Sequence, residues 1–126
     1  MKIYTSYFGN MKKLDDHKVV TVGISRWPAS WHSGFNLKYV APSEDLLRRY
    51  KSGVTDKEGY IREFKQMLET RDRERFVYNL KKIVEMYDGY ESVALVCFER
   101  PGQFCHRHLV AEWLEEGGYM VEEFDA

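Results

Sequence analysis

The sequence predicts an α/β fold: a single small domain, residues 1–126, with a mostly parallel sheet of about four strands flanked by helices. Three observations predict it. Segments rich in β-branched and aromatic residues alternate along the chain with segments of helical period. One of the former, residues 92–98 (SVALVCF), is apolar almost throughout, as expected of a central parallel strand covered on both faces. A chain of 126 residues, 44% of them hydrophobic and 31% charged, suffices for one core and not for two ordinary domains.

The elements follow in order. Residues 2–8 and 18–24 read as strands, dominated by Val, Ile, Thr, Tyr and Phe and bounded by Gly9-Asn10 and Ser25-Arg26-Trp27-Pro28. Between them, residues 11–16 have room for a turn or a short helix. The stretch 26–42 carries Trp27, Trp31, Phe35 and Tyr39 but sustains no period, so it is predicted to be an ordered loop laid over the domain. Three helices come next. Ser43 caps the first, with Glu44 and Asp45 in its opening turn and Gly53 at its end. A capping box of Thr55 and Glu58 opens the second, which aligns Tyr60, Ile61, Phe64, Met67 and Leu68 on one face. The third spaces Phe76, Val77, Leu80, Ile83, Val84 and Tyr87 helically and is expected to stop at Gly89. After strand 92–98, a turn over 99–104 with its bend at Pro101-Gly102 leads to a helix at about 105–116. Gly117-Gly118 stop that helix before a last strand, 119–124.

Composition excludes disorder and collagen-like repeats, and no apolar run approaches the roughly 18 residues of a membrane span. Without a signal-peptide pattern, the expected location is cytoplasmic and no membrane partner is expected. Net charge is −1 but uneven: residues 1–40 carry six basic and two acidic side chains, 41–83 eleven and eight, and 84–126 two and ten. A basic face on the first two thirds suits an anionic partner, a small molecule or a nucleic acid, and its alternative is a set of solvated helix faces. The oligomeric state is left open. Cys97 and Cys105 are too few for a disulfide framework and are expected to be reduced.

Candidate chemistry gathers between Cys97 and Arg107. In open α/β sheets ligands sit beyond the carboxyl ends of the strands, where the next helix presents free N–H groups. Cys97 ends a strand there, and Cys105 and His106 open a helix. Helical spacing turns His106 inward with Val110 and Trp113, and His108 outward with Glu112 and Glu115. Cys105, at a helix start beside His106 and Arg107, is the better placed nucleophile, whereas Cys97 is a buried small side chain or a pocket wall. Glu99 is either a general acid/base or an ion-pair partner of Arg26 or Arg107. Common nucleotide-binding, zinc-protease and hydrolase motifs are absent, and Gln103 and Ala111 stand where a cysteine-phosphatase loop requires Arg. A zinc site on Cys97, Cys105 and His106 needs a fourth ligand from Glu99, His17 or His32, and its spacing fits no usual finger, so no metal ligands are assigned and no cofactor is named.

With these residues in view, the chain resembles the family called domain of unknown function 488, a group of small prokaryotic α/β proteins. The resemblance rests on Cys97 and Glu99 at a strand end, followed by Cys105-His106-Arg107 and the 109–114 continuation (LVAEWL). A second part is Ile24-Ser25-Arg26 with Pro28, and the 41–43 helix start and Tyr60 are also similar. It implies a shared pocket in which Arg26 faces the cysteine loop, and it brings no reaction with it.

The expectation is therefore an anion-accepting pocket in which Ser25, Arg26, Cys97 and Arg107 bind the ligand and Cys105, His106 and Glu99 are the catalytic candidates. An enzyme of this kind acts on a phosphorylated small molecule, a nucleotide or a nucleic-acid end. The alternatives are a non-catalytic ligand- or nucleic-acid-binding module and a structural metal site.

Overall fold

A computed structural model describes residues 1–99 and 104–125. Four strands, β1 (Lys2–Tyr7), β2 (Val19–Gly23), β3 (Ser92–Cys97) and β4 (Val121–Glu123), form one sheet in the order β2-β3-β1-β4. Every pairing is parallel, so all carboxyl ends open on the same side. The expected bend at Pro101-Gly102 lies outside the described residues.

β3 is internal because its sequence permits burial on both faces. Val93 and Leu95 join the larger core against α3 (Lys57–Glu69), α4 (Arg73–Glu85) and α5 (His106–Glu116), through Phe64, Leu80 and Val110 among others. Ala94 and Val96 face a smaller core with Phe8, with Leu14 of α1 (Met11–Asp16) and with Ala29. α2 (Glu44–Lys51) adds Leu46 to the larger core.

Helix boundaries follow local chemistry. Ser43 caps α2, its hydroxyl accepting from the Leu46 N–H at 3.0 Å. The cap of α3 is Asp56 rather than Thr55: its carboxylate accepts from Gly59 N–H at 2.8 Å, while Thr55 Oγ1 accepts from Arg49. A carboxylate one residue further along supplies both a hydrogen bond and a negative charge at the positive end of the helix dipole. α4 is capped by Asp72 and ends at Glu85, four residues before Gly89, with Met86 and Tyr87 continuing as hydrogen-bonded turns.

The 26–42 loop is ordered by pairing with the end of β2. Gly23 donates to the Phe35 carbonyl and accepts from Leu37 N–H, at 2.9 and 2.8 Å. A side chain there would displace Asn36, since a Cβ on residue 23 would stand 2.3 Å from Asn36 Oδ1. Asn36 Nδ2 donates to the Ser25 carbonyl at 2.9 Å, which holds the segment leaving β2 toward the carboxyl edge of the sheet.

Candidate active site

A cavity of about 430 Å³ opens beyond the carboxyl ends of β2 and β3. Ser25 and Arg26 follow β2, Phe98 and Glu99 follow β3, and Cys105 and His106 start α5, so the parallel sheet brings five of the seven expected residues to one lining. Trp27, Tyr50, Tyr60 and Phe104 add aromatic walls. Tyr60 packs on Tyr50 and Phe104, with ring centroids 4.8 and 5.5 Å apart. Burial raises the Tyr60 phenol pKa far above its ordinary range, with Glu99 and Tyr50 adding to the effect, so the hydroxyl remains a proton donor.

Arg26 is half-buried, and its Nε donates to the Pro42 carbonyl at 3.1 Å. Among the described residues no carboxylate pairs with it, Glu99 included, so its terminal nitrogens are available to a ligand. Ser25 Oγ is buried with no hydrogen-bond partner among the described residues. Buried hydroxyls are ordinarily satisfied, and a ligand on this cavity would satisfy this one.

His106 is buried as its helical phase predicts. Its Nε2–H donates to the Ile24 carbonyl at 2.6 Å, leaving the Nδ1 lone pair 3.9 Å from Cys105 Sγ. Burial lowers its pKa to about 4; the Ile24 bond opposes that shift and the Arg107 charge reinforces it. At neutral pH the ring is uncharged and its free nitrogen faces sulfur.

One expectation is corrected here. Cys97 and Cys105 are joined by a disulfide and are not two free thiols, because the end of β3 and the cap of α5 meet at the same edge of the sheet. Cys97 is fully buried and outside the cavity lining. Arg107, expected on the ligand, also lies outside the lining and is fully buried. Its Nε and Nη2 donate to Glu123 at 3.2 and 2.9 Å, and its Nη1 to Cys97 Sγ at 3.1 Å and to the Glu99 carbonyl. One residue of helix rotates a side chain by about 100°, which sends His106 toward the cavity floor and Arg107 toward β4. The other histidines considered as metal ligands are engaged elsewhere: His32 donates to the Phe35 carbonyl, and His17 hydrogen-bonds the Lys13 carbonyl and packs on Phe124.

The sequence does not mark Tyr50, Tyr60 and Phe104 as site residues, since the two tyrosines stand at helical spacing and look like core, and Phe104 falls in the turn before α5. The available signal was the hydroxyl: a buried tyrosine asks for a polar neighbour.

A family model described as the active DUF488-N3 subclade matches residues 3–118. The chain belongs to that family. The DUF488-N3 match runs from β1 through α5 and takes in every residue of the cavity lining, whereas Glu123 lies beyond it. No curated protein and no solved structure matches the chain. Among the described residues of this DUF488-N3 protein, no helix is long and apolar enough to cross a membrane.

Proposed function

We propose that this DUF488-N3 protein is an enzyme whose substrate is an anionic, ring-bearing molecule of the nucleotide class, free or at a nucleic-acid end. The observation that carries this reading is the unpartnered, buried Ser25 hydroxyl beside the partly free Arg26 guanidinium, on a cavity with aromatic walls. Its volume suits a ligand of about one nucleotide. Arg26 and Ser25 hold the anion, and the ring lies against Trp27, Tyr50, Tyr60 or Phe104. Glu99 is the acid/base, being the one carboxylate among the lining residues. His106 serves Cys105 rather than the substrate, because its free nitrogen faces that sulfur. Cys105 acts as a nucleophile only once the disulfide is reduced. The subclade's description as active agrees with catalysis.

The rival reading, a nucleic-acid-binding module, relies on an exposed basic surface. The helices that would supply it interleave cations with carboxylates: Arg48 with Glu44, Arg49 with Asp45 and Glu63, and Lys65 with Glu112. Such pairing weakens the field a phosphate backbone needs, and the cavity is favoured.

Calorimetric titration with a nucleoside monophosphate, the matching nucleoside and inorganic phosphate tests the proposal. The monophosphate is expected to bind tightest. Arg26→Ala should weaken it by roughly tenfold or more, the worth of one charged hydrogen bond of about 1.5–3 kcal/mol. Glu99→Gln should retain binding and lose turnover. Equal monophosphate affinity in folded parent and Arg26→Ala protein would overturn the assignment.

A further inference from the structure

The residues given to the nucleophile have a second use that competes with the first: with a metal bound, Cys105 is a ligand and not a nucleophile. Cys97 Sγ, Cys105 Sγ and a His106 ring nitrogen all lie within 4.8 Å of one another, and all three residues are buried. We propose that, once the disulfide is reduced, Cys97, Cys105 and His106 Nδ1 bind a thiophilic divalent metal of the zinc class, leaving a fourth position open to the cavity.

Five features of this chain support the site. Two thiolates and one imidazole are a donor set zinc accepts, and three protein ligands with a free position are the usual pattern of catalytic rather than structural zinc. The His106 ring is already oriented: donating Nε2–H to the Ile24 carbonyl at 2.6 Å leaves Nδ1 as the ligating atom, the arrangement found behind most metal-bound histidines. Arg107 Nη1 donates to Cys97 Sγ at 3.1 Å, a bond that favours thiolate over thiol, and Glu123 balances the guanidinium charge. Two thiolates in turn balance the charge of a dication, so the buried group carries no net excess. Cys105 and His106 line the cavity and Cys97 does not, which places the open position on the substrate side.

Disulfide and metal exclude one another. The S–S bond must first take two electrons and two protons from a dithiol, which is itself oxidised to its disulfide. The metal ion then replaces the two thiol protons, which leave to solvent. The same two sulfurs thus make the site conditional on reducing conditions.

Cobalt(II) is the probe. Protein reduced with a tertiary phosphine and freed of it without air is titrated with cobalt, and oxidised protein is titrated in parallel. The expected result for reduced protein is one equivalent bound, with thiolate-to-metal charge transfer in the near ultraviolet and the intense visible bands of tetrahedral cobalt, both abolished by zinc. Oxidised protein should show neither. Cys97→Ser should lower affinity by at least the roughly 10–100-fold that loss of an outer-shell partner costs. In the parent protein, which needs no substitution to fold, zinc should slow alkylation of both thiols. Arg26→Ala should leave the cobalt spectrum unchanged, so failure of the anion reading and failure of this one are distinguishable. Absence of stoichiometric binding, a spectrum without charge transfer, or alkylation indifferent to zinc would each overturn the proposal.

Discussion

Glu123→Gln is the substitution whose outcome the structure constrains most tightly. Arg107 is fully buried, and the Glu123 carboxylate takes two of its hydrogen bonds while its own side chain is 29% exposed. Glutamine preserves the volume and the acceptor for Thr5 Oγ1, now 2.6 Å from Glu123 Oε1, but removes the charge and turns an amide N–H₂ toward the guanidinium. Arg107 cannot shed its proton to escape. Breaking one side of a buried ion pair costs about 3–5 kcal/mol, and the partial exposure of Glu123 places this case near the lower end, about 3 kcal/mol. With a urea dependence of about 1.5 kcal/mol per molar, the unfolding midpoint should fall by roughly 2 M. Arg107→Met in the Glu123→Gln background then completes a double-mutant cycle with a coupling of about 1–3 kcal/mol. A midpoint shift under about 0.5 M, or strict additivity of the two changes, would refute the view that this pair braces the carboxyl ends of the strands.

Further outcomes are expected. Because the folded pKa of His106 is about 4 and the ordinary value 6.5, the unfolded chain takes up the proton first. Stability should therefore fall as pH drops from about 6.5 to about 4, by about 3 kcal/mol in total, and unfolding curves of His106→Gln should lose that slope. Asp56→Ala should cost about 1 kcal/mol in thermal unfolding and Thr55→Ala clearly less; the reverse order would restore Thr55 as the cap of α3. Gly23→Ala should cost about 1–3 kcal/mol by pushing Asn36 aside, and should cost less in an Asn36→Ala background; equal cost in both would show that the close approach is not what requires glycine.

The sheet was legible because burial on both faces leaves a mark that needs no partner to be recognised. The apolar run through Val93, Ala94, Leu95 and Val96 had to be internal, and it is. The bridge that orders the 26–42 loop was not legible, since one backbone pairing between Gly23 and Asn36 imposes no period on the side chains around it. The cap of α3 shows the limit of local signals: Thr55 with Glu58 matches a capping box, yet the neighbouring Asp56 competes for the same N–H groups and has the stronger acceptor. The end of α4 was overestimated for a related reason. Tyr87 keeps the apolar spacing although the helix has stopped at Glu85, because a turn beyond a helix end can still point a ring inward.

At the site, parallel strands made it legible that Arg26 and Glu99 line one cavity, since that follows from where two strands end. The partner of Arg107 was not, because Glu123 sits sixteen residues away on a three-residue edge strand with no patterning of its own. Two arginines near one loop looked like a pair of anion ligands, and their surroundings assign them opposite tasks. Arg107 spends its described hydrogen bonds on Cys97, the Glu99 carbonyl and Glu123, and Glu123 also accepts from Thr5, so one buried cation joins the ends of β1, β3 and β4 to the start of α5. Arg26 spends one donor on Pro42 and lines the cavity. A guanidinium held on several sides is rigid but cannot turn to a ligand, whereas one held at Nε is oriented and still has donors to offer. The first holds Cys97 Sγ in place; the second is the one to which the proposed function gives the substrate anion.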